Sequence, residues 1–93
     1  MKRERSPAKF LLVDDLEENL LVLEATLRRP GLDLVLARSG REALELLLVH
    51  EFALAIIDVQ MPEMDGFELA ELMRGAERTR SIPIIFLTAG IRD

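Results

Sequence analysis

The stretch Ala55-Ile56-Ile57-Asp58-Val59-Gln60-Met61-Pro62-Glu63-Met64-Asp65-Gly66-Phe67-Glu68 decides how the chain is read. It continues an apolar run that starts at Phe52 and is cut off by an acid, Asp58. A short unbroken apolar run is the pattern of a strand buried on both faces. Val59 to Met64 carries Pro62 and reads as a loop. Asp65 stands three residues before Glu68, the spacing of a capping box. That predicts a helix turning Phe67, Ala70 and Met73 inward and ending near Gly75.

The same unit recurs on either side. Phe10-Leu11-Leu12-Val13 is an apolar run ended by Asp14-Asp15, followed by Leu16, Leu20, Leu23 and Leu27 at the spacing of one helix face. Glu17 and Glu18 suit the first turn of that helix, where the dipole favours acids, and Pro30-Gly31 stops it. Leu34 to Ala37 reads as a second strand. Ser39-Gly40 opens a second helix with Ala43, Leu44, Leu47 and Leu48 on one face. Ile82-Pro83-Ile84-Ile85-Phe86-Leu87 reads as a fourth strand ending at Thr88. The order β-α-β-α-β-α-β predicts an α/β fold with a doubly wound parallel sheet, helices on both faces.

Composition limits the alternatives. With 93 residues the chain is expected to form one small domain, and a net charge of −5 argues against direct nucleic-acid binding. The absence of cysteine excludes disulfides, zinc-thiolate sites and thiol catalysis. No apolar run reaches bilayer length and Met1 to Lys9 lacks a signal-peptide core, so no membrane association and a cytoplasmic location are expected. Residues 1–8 are expected to form a tail ahead of a domain spanning 9–93, and the basic residues Lys2, Arg3, Arg5 and Lys9 read as solvated charge. His50 falls at a helix C-terminus, where a cation is favoured without any catalytic role. Met61 and Met64 read as packing residues, and Arg78 and Arg80 as solvated loop charge.

Three of the strands end on oxygen-bearing side chains: Asp14 and Asp15, Asp58, and Thr88. In a parallel sheet these ends share one edge, where ligands bind at the switch in strand order. If the first and third strands are neighbours, three carboxylates converge, and a hard divalent cation relieves their repulsion. Magnesium is the natural candidate, with manganese able to substitute. An Asp carboxylate can also act as a nucleophile and form an aspartyl phosphate. Acids at strand ends equally serve as helix caps, and Asp14 or Asp15 has that reading too. Spacing leaves both open.

Leu12-Val13-Asp14-Asp15 with Asn19, then Ala55 to Glu68, then Ile82 to Ala89 resemble the successive signature segments of response-regulator receiver domains. The resemblance runs from about Lys9 onward and implies the flavodoxin-like receiver fold. It implies that Asp58 takes a phosphoryl group from a histidine kinase or phosphotransfer protein. Mg2+ would be held by Asp14 (mainly through water), Asp15, Asp58 and the backbone carbonyl of Gln60. Thr88 would be the switch hydroxyl, Ala89 would leave the donor room, and Pro62 and Gly66 would shape the loop. Such a domain is no enzyme beyond Mg2+-dependent self-phosphorylation and autodephosphorylation.

One departure bears on this. The family carries a fifth strand ending in a lysine, with two further helices, and this chain, ending at Asp93, is expected to lack all three. Lys2 and Lys9 are the lysines present, and both are expected ahead of the first strand. The fourth strand is then an open edge, which predicts self-association through it. A rival reading is a receiver-like interaction fragment that is never phosphorylated. Another is a phosphohydrolase in the haloacid dehalogenase style. It would need an acid two residues after Asp58, where Gln60 stands.

Overall fold

The computed structural model describes residues 7–88. Four strands and three helices alternate: β1 (Ala8–Val13), α1 (Glu17–Leu27), β2 (Leu32–Ala37), α2 (Gly40–Val49), β3 (Leu54–Asp58), α3 (Gly66–Arg74) and β4 (Ile84–Leu87). The strands form one sheet in the order β2-β1-β3-β4, with every pair parallel. The chain returns across β1 between β2 and β3, so the switch in strand order lies between β1 and β3. The doubly wound α/β layout and the receiver-like order of its first four strands are both present. No described helix is long and apolar enough to cross a membrane.

Alternation along the strands builds two apolar layers. Leu11 and Val13 of β1 join Ala55 and Ile57 of β3 beneath Ala43 and Leu47 of α2 and Leu69 and Met73 of α3. Leu12 and Ile56 face the other way and pack with Leu20 of α1. Both faces of β1 and β3 are therefore buried, which is why these strands read as unbroken apolar runs.

Local signals place the helices. Asp65 and Glu68 form the full capping box of α3: the Glu68 N–H donates to Asp65 Oδ1 at 2.8 Å and the Asp65 N–H donates to Glu68 Oε1 at 2.9 Å. Ser39 caps α2 by accepting from the Glu42 N–H at 3.0 Å. Leu16 caps α1 in an extended conformation with no side-chain bond of its own.

Several expected details shift. Phe67 does not point inward: it is 54% exposed, while Leu69 is fully buried. Gly66 is pressed against the end of β3, so the buried stripe of α3 runs through Gly66, Leu69 and Met73. Phe67 is left on the flank, edge-on to Phe86 with ring centroids 4.9 Å apart. Leu48 also lies outside its stripe, which Ala43 and Leu47 define, and Leu16 is exposed because it precedes the first helical turn. Strand β4 starts at Ile84, since Ile82 closes the preceding turn by donating its N–H to the Thr79 carbonyl. Similarly, β3 begins at Leu54 rather than Phe52. Lys9 lies within β1 rather than ahead of it. Lys2, Arg3, Arg5 and Ala89 lie outside the described residues.

The far edge of the sheet is open among the described residues. The Pro83 and Leu87 carbonyls accept from the Ala55 and Val59 N–H groups at 3.0 and 3.1 Å, so this register aims alternate residues at β3. The main-chain groups of Ile84 and Phe86 therefore point away from the sheet. Ile85 is 48% and Phe86 37% exposed, one on each face of this strand.

Candidate metal and phosphoacceptor site

Each functional side chain sits where a strand gives way to a loop. Residues 14 and 15 follow β1, Asp58 is the last residue of β3, and Thr88 follows β4. The pairing of Val13 with Ile57 and of Asp58 with Leu87 brings these three ends level. Asp14, Asp15 and Asp58 each place a carboxylate oxygen within 4.8 Å of the others'. Asp14 is 2% and Asp58 7% exposed, so two of the three charges are buried. Thr88 is exposed on the same edge.

Burial is the main reason the Asp58 carboxyl is pushed above its ordinary value of 3.8, with the Asp14 charge next. The Gln60 backbone N–H opposes this, Asp15 adds to it, and the Val59 N–H opposes it again. Three clustered carboxylates with no histidine or cysteine among them are a hard-oxygen donor set. That set fits Mg2+ or Mn2+, whose charge would offset the mutual repulsion.

The two readings of Asp14 coexist in one side chain. Its Oδ1 accepts the Leu16 N–H at 3.0 Å and its Oδ2 accepts from Asn19 Nδ2 at 3.1 Å, so it holds the start of α1 while standing in the acid cluster. Gly66 sets the loop: its N–H donates to the Val59 carbonyl at 2.9 Å. A Cβ at that position would be driven into the Asp58 carbonyl oxygen. Pro62 is an exposed residue of the same loop, and its carbonyl accepts the Met64 N–H at 2.8 Å. Met61 is buried and Met64 packs against the same core, as packing residues should. The Gln60 side chain is exposed, in keeping with a role for its backbone alone.

Two participants carried no distinct sequence signal. Arg38, just after β2, donates from Nη2 to the Asp15 carbonyl at 3.2 Å and lies 3.8 Å from Glu17. Glu63 has a φ of 69°, a left-handed conformation in a residue other than glycine. The Arg38 contact depends on where two loops meet, and the Glu63 conformation on the tight turn closed by the Met64 N–H on the Pro62 carbonyl.

Lys9 and His50 sit away from this edge. Lys9 Nζ lies 3.3 Å from His50 Nδ1, and Lys9 precedes Asp14 by five residues, roughly 16 Å along a strand. Lys9 thus cannot serve the acid cluster. Arg78 is engaged at the protein surface, its Nε donating to the Leu47 carbonyl at 3.2 Å.

Comparison with known proteins agrees with this geometry. Residues 10–93 match the family described as the response regulator receiver domain. Over 69 residues the chain is 47% identical to a probable histidine kinase 4 of Oryza sativa, covering 73% of this chain and 7% of that protein. It is 34% identical over 79 residues to the polar-differentiation response regulator DivK of Brucella ovis, covering 85% of this chain and 64% of that one. The chain thus spans less than two thirds of these relatives. The receiver domain of a sensor histidine kinase from Pseudomonas aeruginosa superposes with a TM-score of 0.82 at 32% identity, over 90% of this chain and 69% of that one. That structure has a magnesium ion coordinated in its active-site cleft. The chain belongs to the response regulator receiver domain family of two-component systems.

Proposed function

We propose that this chain is a phosphoacceptor module in which Asp58 takes a phosphoryl group from a histidine kinase or phosphotransfer protein, with Mg2+ at the acid cluster. The observation that carries the reading is the convergence of Asp14, Asp15 and Asp58 within 4.8 Å at the strand ends, beside the switch in strand order. In this reading Asp58 is the acid that reacts. It stands at the end of a central strand, its main chain fixed by Gly66 and by pairing with β4. One Asp58 oxygen attacks phosphorus, the bond to the donor nitrogen breaks, and that nitrogen keeps the electron pair. Asp14, Asp15, Asp58 and the Gln60 carbonyl would hold the metal, which supplies charge neutralisation when bound. Thr88, one residue beyond β4, offers a hydroxyl to a phosphoryl oxygen and acts as the switch. Beyond this self-phosphorylation and autodephosphorylation the chain is not an enzyme, and it works in the cytoplasm.

Among the described residues the β4 edge is open, which supports self-association, with a second copy adding its own β4 through a two-fold axis. The position of Lys9, far from the acids, favours a second reading, in which the chain works by binding without being phosphorylated. A phosphohydrolase reading lacks its general acid, since residue 60 is an exposed glutamine.

The two main readings separate in one experiment. The chain is incubated with Mg2+ and acetyl phosphate beside Asp58→Asn, and intact mass is followed. A gain of one phosphoryl group in the native chain alone is expected. No gain, with Mg2+ binding intact, would leave the binding role.

A further inference from the structure

Asn19 has no part in the phosphoacceptor scheme, yet its side chain is committed to Asp14. The Asp14 carboxylate is nearly sealed from solvent and accepts one protein donor on each oxygen: the Leu16 N–H on Oδ1 and Asn19 Nδ2 on Oδ2. A carboxylate only accepts hydrogen bonds, so the Asn19 amide must present its NH2 side to it. Asn19 is itself held by the helix start, its backbone N–H donating to the Leu16 carbonyl at 3.1 Å. One donor alone fixes a single oxygen; the second fixes the plane of the carboxylate. Each oxygen keeps lone-pair capacity beyond the donor it has accepted, and Asp14 lies within the cluster formed with Asp15 and Asp58.

We infer that Asn19 is a positioning residue for metal binding, its amide fixing Asp14 Oδ2 so that Asp14 meets the cation in one orientation. The inference rests on the phosphoacceptor reading and deepens it. Partners that orient a metal's carboxylates are worth about 10- to 100-fold in metal affinity in other proteins. Leucine, alanine or an acid at this position cannot supply the same bond. Leucine and alanine donate nothing, and an acid would repel Asp14.

The test is calorimetric titration with Mg2+ of four chains: native, Asn19→Ala, Asp14→Ala and the double variant. Asn19→Ala is expected to weaken Mg2+ binding about tenfold. Made in the Asp14→Ala background, the same change should alter affinity by less than about twofold, because the residue acts through Asp14. Melting of the metal-free chains is followed in parallel. If Asn19→Ala disturbs the melt, Asn19→Leu takes its place, keeping volume while removing the donor. Unchanged affinity in the single variant overturns the inference, and so does an equal loss in both backgrounds. Failure of the native chain to take up Mg2+ overturns the phosphoacceptor reading and this inference with it. Native uptake with an unaffected Asn19→Ala overturns this inference alone.

Discussion

Gly66 lies so close to the main chain of Asp58 that a single added carbon would overlap the Asp58 carbonyl oxygen. The obstacle is backbone, held in the sheet by β4 on one side and β1 on the other, and it has no rotamer with which to yield. Gly66→Ala is therefore expected to destabilise the chain by about 1–3 kcal/mol, the usual cost of overpacking. It should also displace Asp58 itself. Urea denaturation checks the first effect, and loss of phosphoryl uptake beyond that shown by an equally destabilised core variant such as Ile56→Val checks the second.

The acid cluster sets a pH dependence whose sign follows from the raised carboxyl of Asp58. A group held above its unfolded value of 3.8 contributes stability below that pH and loses it as pH rises through the folded value. At neutral pH, without metal, ionised Asp58 therefore opposes folding. Asp58→Asn is expected to melt higher than the native chain at pH 7, with the difference shrinking as pH falls toward 3.8. Mg2+ at a hundred times its dissociation constant should stabilise the native chain by about 2.7 kcal/mol and the variant by much less. Equal melting of the two chains across this range would contradict the electrostatic account.

The β4 edge makes its own prediction. With the main-chain groups of Ile84 and Phe86 directed outward and Ile85 exposed, sedimentation velocity should show association that grows with concentration. Ile85→Lys places a charge on that strand while its neighbours keep packing. It should shift the distribution toward the monomer without lowering the melting temperature by more than about 5 °C. A native chain that remains monomeric at millimolar concentration would refute the edge pairing.

Much of this was legible in the sequence, for identifiable reasons. Runs such as Phe10–Val13 and Ala55–Ile57 are unbroken because both faces of their strands are covered, and that pattern forced the parallel α/β reading. The acids that end β1 and β3 could be placed together as soon as the strands were read as parallel neighbours. Side-chain direction on helices was less legible. Phe67 and Leu48 are apolar at near-helical spacing but fall on the edges of their stripes, and their phase is set by Gly66 against β3 and by Ala43 and Leu47. Arg38 reaches Asp15 through the meeting of two loops, a contact that no local pattern encodes. Asn19 is the intermediate case: its place in a motif was visible, but its bond to Asp14 was not.

The bond from the Val59 N–H to the Leu87 carbonyl joins the residue after Asp58 to the residue before Thr88. It makes the proposed acceptor and the proposed switch mechanical neighbours across a single clasp. If Thr88 acts as the proposed switch, a shift of its main chain would strain or release that clasp, and the exchange rate of one amide proton, that of Val59, would then gauge which way it stands.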